Sequence, residues 1–151
     1  MASQNVSKTQ AKKRLLRFLG KNRLMALATS NQNKPWSATV FFAFDRKNYN
    51  LIFFSRQDTK HCKHIRINPN VSAAINHEWR DTQGNIRGLQ ITGRVSRVSH
   101  KDFRKQYAVF EKRFPWAESF ANDHVLYLIR PREIWYIDEK LFGHFYRVRV
   151  V

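Results

Sequence analysis

The sequence predicts a mainly β fold, a curled antiparallel sheet of about six or seven strands attended by a few helices. Aromatic residues make up 14% of the chain, with 12 Phe, 5 Tyr and 4 Trp, and rings pack well on pleated surfaces. Short apolar runs recur along the chain, each bounded by a polar turn. At 151 residues and 42% hydrophobic, the chain has the size of one globular domain that can bury a core without staples. A single domain over 1–151 is expected, closed into a barrel because closure removes sheet edges.

The elements follow in order. Residues 1–6 are polar and expected to fray, and Ser7 then opens a basic helix over 7–20. Gln10 lies three residues after that cap, Ala11, Leu15, Phe18 and Leu19 share one face, and Gly20 is the expected stop. The other face carries Lys12, Lys13, Arg14, Arg17 and Lys21. Arg23 to Ser30 reads as a strand of small residues, with NQNKP as the turn into a second strand, Trp36 to Asp45. That strand is apolar at nearly every position, so both of its faces are expected to be buried, by the barrel, a ligand or a second subunit. Arg46 to Asn48 turn the chain into Tyr49 to Ser55. A short basic helix, Thr59 to Ile67, ends at Asn68 because a residue before proline leaves the helical region. Val71 to Trp79 and Ile86 to Val98 read as strands joined by DTQGN, and Gly93 marks a bend or bulge. Ser99 and Asp102 open a second long helix, ended by Pro115, whose Phe103, Tyr107, Phe110 and Phe114 recur at core spacing. Val125 to Ile129 and Glu133 to Ile137 are expected as two strands around Pro131, and HFYRVRV alternates to the end.

The stretch from Trp36 to Pro69 carries the chemistry. Strand, turn, strand and helix start bring the hydroxyls of Ser55 and Thr59, the first-turn N–H groups and the cations Lys60 and His61 toward one small volume. A phosphorylated ligand suits that volume. His61, Cys62 and His64 invite a metal reading, but Cys62 points about 100° away from the face the two histidines share. The sequence has no serine elbow, Walker loop, dinucleotide glycine fingerprint or zinc ribbon.

Charge and cysteine usage bound the setting. Net charge is +17, from 28 Lys and Arg against 11 Asp and Glu, and no acid precedes Asp45. Such a balance draws polyanions without choosing among nucleic acid, anionic lipid and a phosphorylated ligand. One cysteine, Cys62, rules out an internal disulfide and fits a reducing compartment. No apolar run approaches the roughly 20 residues of a membrane span, and no signal-peptide core is present, so a cytoplasmic protein is expected.

In order and spacing, an apolar second strand, FFSRQDTKH leading to a helix that stops at NPNVSAAI, TGRV in a long strand and a late EIWYIDEKLFGH resemble the pyridoxamine 5'-phosphate oxidase-like, FMN-binding split barrels. The likeness runs from about Arg23 onward and is greatest to a small bacterial branch in which KRFP-like (Lys112 to Pro115) and RPREI-like segments recur. It implies a split β-barrel homodimer with FMN between the subunits. On that resemblance the backbone of Ser37, Ala38, Thr39, Val40 and Phe41 lies against the isoalloxazine ring. Phe54 and Ser55 end the third strand, and Thr59, Lys60 and His61 grip the phosphate. Gln90 stands two residues beyond Gly88, where the family's glutamine is expected, and Trp135 matches the late tryptophan by order alone. Ser37 and Phe42 occupy positions where the oxidases carry cations, and GHFYRVRV has no counterpart of their closing basic run. These departures argue against pyridoxamine-phosphate oxidation. They leave an FMN-dependent oxidoreductase of other substrate, or a binder without turnover. The alternatives are a nonspecific nucleic-acid-binding module and a split barrel that has lost its flavin.

Overall fold

The computed structural model describes residues 7–76 and 84–151. The expected fraying of Met1 to Val6, the end of the strand at Trp79 and most of the DTQGN turn lie outside those residues.

Helix α1 (Lys8–Lys21) starts in the expected capping box, in which the Ser7 hydroxyl accepts from Gln10 N–H and the Gln10 side chain accepts from Ser7 N–H. Ala11, Leu15, Phe18 and Leu19 are buried as the spacing requires. The helix runs one residue past Gly20, and the Asn22 side-chain amide donates to Phe18 O at 2.8 Å, so asparagine supplies the stop.

Strands β1 (Leu24–Asn31) and β2 (Lys34–Phe41) form a hairpin with full register from Leu24–Phe41 to Asn31–Lys34. Its two-residue turn places Gln32 and Asn33 at φ of 49° and 60°, the left-handed pair whose twist matches the strands. The second expected strand, Trp36 to Asp45, breaks at Phe42. Beyond it β3 (Ala43–Phe44) leaves β1 and pairs with β4 (Leu51–Arg56). Phe42 is fully buried and donates its N–H to Arg23 O, so the ladder changes partner at a residue locked into the core.

Helix α2 (Lys60–Ile67) follows, then β5 (Asn70–Asn76), β6 (Arg87–Arg97), α3 (His100–Arg113), a 3-10 turn (Pro115–Phe120), β7 (His124–Asp138), α4 (Glu139–Phe142) and β8 (Arg147–Arg149). Among the described residues the antiparallel sheet has eight strands in the order β2-β1-β5-β6-β7-β4-β3, with β8 beside β7. Because β3 continues β2, the path begins and ends on one bent strand, which curls the sheet into a split barrel. One core cluster joins α1 and α2 to the inner faces of β1, β5, β6, β7 and β4. A second lies between the outer face of β4 and β7 and the helix α3, and holds Phe110, Phe114 and Leu126.

Two expectations need correction. The strands on either side of Pro131 are one strand of 15 residues, β7. Pro131 stands opposite Gly93, where the β6–β7 register shifts, and a proline there forfeits no regular ladder bond. A Cβ on Gly93 would meet Arg130 O at 2.7 Å, so the bulge requires glycine at this close approach. The aromatic stripe of α3 is only half core, because Phe110 and Phe114 are buried whereas Phe103 is 37% exposed and stacks on Tyr107. The barrel by itself does not cover both faces of β2, where Trp36 is 41% and Phe41 43% exposed, and the expected cover by a ligand or a second subunit concerns groups beyond this chain.

Candidate functional site

The N-terminus of α2 is built by its cap. Thr59 has extended backbone, its hydroxyl donates to Arg56 O at 2.8 Å and accepts the Cys62 N–H, and this leaves the first-turn N–H groups of Lys60 and His61 with no intrahelical acceptor. Ser55, the inward-facing penultimate residue of β4, shares a 2.6 Å hydrogen bond with His61 Nε2, and Thr59 Oγ1 lies 3.3 Å from the same nitrogen. The structure thus brings Ser55, Thr59, Lys60 and His61 together.

His61 and Lys60 differ in charge. Burial holds the His61 pKa below its ordinary value, so at neutral pH it is an uncharged partner of Ser55 rather than the cation expected from sequence. Lys60 is exposed, and its Nζ stands 4.2 Å from the centre of the Trp36 indole on β2. That cation–π contact ties the helix start to the edge strand carrying Ser37, Ala38, Thr39, Val40 and Phe41. Trp36 was missed as a site residue. A tryptophan in an edge strand gives a weak signal until the partner cation is placed.

The other two histidine-segment groups serve the core. His64 Nδ1 is 3.1 Å from the buried Thr29 hydroxyl, and Cys62 packs against Tyr127, whose hydroxyl is pushed to higher pKa by burial and by the thiol. Each of the three side chains points at a different strand. Among the described residues no cluster of three or more His, Cys, Asp or Glu is arranged to hold a metal ion.

Phe54, Gln90 and Trp135 are not brought to this cluster. Phe54 alternates with Ser55, so its ring faces outward into the second core against Tyr107, Phe110 and His124. Gln90 and Trp135 are directly paired on β6 and β7, on the outer sheet face that also carries Ala26 and Ala74. There they wall an open hollow of about 460 Å³ whose floor is Ala26, Ala28, Ser72 and Ala74. Arg147 donates to Gln90 Oε1 at 3.1 Å and lies 5.6 Å over the Trp135 ring. This arginine was also missed; its signal was the basic alternation of RVRV in a strand too short to stand out. The barrel wall therefore separates the phosphate-type cluster from the Gln90–Trp135–Arg147 group within one chain.

Lys112 to Pro115 has a structural task. The Arg113 guanidinium donates to the carbonyls of Leu19, Gly20 and Asn22 at the end of α1 and lies 5.0 Å over the Phe42 ring. Burial, and then the neighbouring charge of Arg23, lower its pKa to about 10.

Comparison with known proteins agrees with this architecture. The family described as pyridoxamine 5'-phosphate oxidase matches residues 11–138. A UPF0306 protein of Klebsiella pneumoniae is 27% identical over 128 residues, covering 84% of this chain and 85% of that one. Among solved structures, a heme binding protein from Mycobacterium smegmatis superposes with a TM-score of 0.78 at 13% identity, over 95% of this chain. This chain spans 57% of that protein's length. An FAD-binding protein from Mesorhizobium loti has a TM-score of 0.67 at 17% identity, over 81% of this chain and 88% of its own.

Proposed function

We propose that this chain, which belongs to the pyridoxamine 5'-phosphate oxidase family, binds FMN at the start of α2 and acts as a flavin-dependent oxidoreductase. The observation that carries the reading is the convergence of Ser55, Thr59, Lys60 and His61 at a helix N-terminus beside an open strand edge. An oxygen-rich dianion meets the Ser55 hydroxyl, unpaired N–H groups and one exposed ammonium there, while the Thr59 hydroxyl is kept by its bonds to Arg56 O and Cys62 N–H. FMN fits this set, since its phosphate takes the helix start and its ring takes the free edge of β2 from Ser37 to Phe41. The flavin, when bound, supplies hydride or electron transfer, and the protein's part is to hold and orient it. Ser55 and the buried His61 fix each other, so the hydroxyl reaches the phosphate in one orientation. Lys60, resting on Trp36, provides the charge.

A heme reading, prompted by the Mycobacterium smegmatis neighbour, fits this cluster less well. His61 and His64 are both buried with ring nitrogens engaged by Ser55 and Thr29. A free imidazole for iron would cost those bonds.

Pyridoxamine phosphate is not the proposed substrate. Phe42 is fully enclosed beneath Arg113, so the position of a family cation here faces the core. We further propose a homodimer in which a second copy covers the small-residue floor of the outer face and brings Gln90, Trp135 and Arg147 toward the partner's flavin. Exposed Leu24, Trp36 and Phe41 support this, since they leave the β1–β2 hairpin apolar at its surface.

The test is a titration with FMN and with riboflavin, followed by absorbance and by melting. FMN binding with a clear preference over riboflavin is expected. A Soret band with heme and no response to FMN would reverse the assignment.

A further inference from the structure

We propose that the exposed face of α1, continued by Arg46, is a docking surface for double-stranded nucleic acid, held through its phosphate backbone. This surface is separate from the flavin reading. Lys8, Lys12, Lys13, Arg14, Arg17 and Lys21 all lie on this 14-residue helix, which contains no acid. Lys13, Arg17 and Lys21 are spaced by four residues and form one row about 12 Å long. Gly20 borders that row, and a Cβ there would stand 3.9 Å from the Arg46 guanidinium, so Arg46 extends the row past the helix end. Among the described residues none of these cations is ion-paired to an acid. The nearest carboxylate in sequence, Asp45, is taken by Lys47 N–H and the Asn48 amide.

Like charges at this spacing destabilise an isolated helix, and dipole logic gives no reason for cations along its whole length. A polyanion along the row relieves that repulsion. The occupant follows from what the face lacks. Ala11, Leu15, Phe18 and Leu19 are at most 2% exposed, so no apolar side remains to enter a bilayer or form the core of a protein interface. No exposed ring lies in the row to stack on unpaired bases, as single strands require. A rigid duplex, with one negative charge per about 1.7 Å of axis, matches a straight row of cations. Nothing in the row reads base edges in a groove, so binding is through phosphates and independent of sequence.

The test is fluorescence anisotropy of the full chain with a labelled DNA duplex of arbitrary sequence, the matching single strand, and phosphatidylserine vesicles in a sedimentation arm. Four phosphate contacts give a salt slope of about −3.6, roughly a 150-fold loss of duplex affinity from 50 to 200 mM salt. Replacing Lys13, Arg17, Lys21 and Arg46 together by Gln should remove that slope and the binding. The double variant Lys13→Gln/Lys21→Gln should lose about half the slope, and Lys13→Arg/Lys21→Arg should keep it. Melting curves confirm that each variant folds, and the removal of like charges should not lower them. Unchanged duplex binding in the quadruple variant, tighter binding to the single strand or to vesicles, or no duplex binding at 50 mM salt would each overturn the proposal.

Discussion

Replacing Lys60 with Glu separates the phosphate site from the fold. The residue is the first of α2, its Nζ rests 4.2 Å over Trp36, and its side chain is otherwise in solvent. In the empty protein the substitution removes an exposed cation–π contact of about 0.5–1 kcal/mol. It also places an acid in a first helical turn, which is favourable by about 0.3–1 kcal/mol. The two nearly cancel, so the variant should melt close to wild type. With ligand the balance differs, because a charge-assisted bond to phosphate of roughly 1.5–3 kcal/mol is lost and a like charge is added. Taking about 2 kcal/mol as the loss, the FMN dissociation constant rises about 30-fold. FMN at a hundred times the wild-type constant stabilises wild type by about 2.7 kcal/mol, and the same concentration stabilises the variant by only about 0.9 kcal/mol. For a domain of this size that is a melting shift of about 5–11 °C reduced to about 2–4 °C. Differential scanning fluorimetry with FMN and riboflavin reads it directly, and riboflavin should not distinguish the two proteins. A full FMN shift in Lys60→Glu would place the phosphate elsewhere and refute the assignment.

Other expectations follow from particular contacts. His61 has a folded-state pKa below the ordinary value of 6.5, so the unfolded chain takes up the proton first. Its contribution is present above that pH and is lost as pH falls below it, so the urea midpoint of wild type should fall more steeply as pH drops below about 6.5 than that of His61→Gln. Gly93→Ala drives a methyl against Arg130 O and Ile129 at the bulge, and urea unfolding should show a loss of about 1–3 kcal/mol. Ala74→Arg sets a large cation on the small-residue floor of the outer face. Sedimentation should show a dimer for wild type and a monomer for this variant, and a wild-type monomer at micromolar concentration would end the dimer proposal.

Much of the fold was legible because its signals are local. The capping box, the period of α1 and the Thr59 cap each follow from neighbouring side chains, and each is found within a residue or two of where the sequence put it. Continuity was harder to read. A proline normally interrupts a strand, so β7 was divided in two, and only the pairing of Pro131 with the Gly93 bulge shows why it does not. The opposite error befell Trp36 to Asp45. Its largely apolar composition hid a change of ladder partner at Phe42 that no local propensity encodes, since it depends on where β4 lies. The short α4 and the 3-10 turn after Pro115 were missed because one turn of helix has too little periodicity to register.

The site was legible in proportion to sequence distance. Ser55, Thr59, Lys60 and His61 lie within seven consecutive residues, so a turn and a cap suffice to gather them. Gln90, two residues from the family's glutamine position, and Trp135, matched by order alone, were assigned to the same site, and strand alternation turns both away from the Ser55 cluster within one chain. Gln90 pairs with Ala74, Ala74 with Ala26, and Ala26 alternates with the buried Leu27, so the glutamine must face outward whenever the leucine faces in. Ser55 faces in. No rotamer change carries Gln90 through a hydrogen-bonded sheet, so within one chain its side chain stays on the face opposite Ser55. The same parity explains why Phe54, next to Ser55, packs under α3 instead of against a ligand. In the proposed homodimer the Ser55 cluster of one copy and the Gln90–Trp135 pair of the other share one flavin, and loss of FMN affinity in an Ala74→Arg monomer is the check on that assembly.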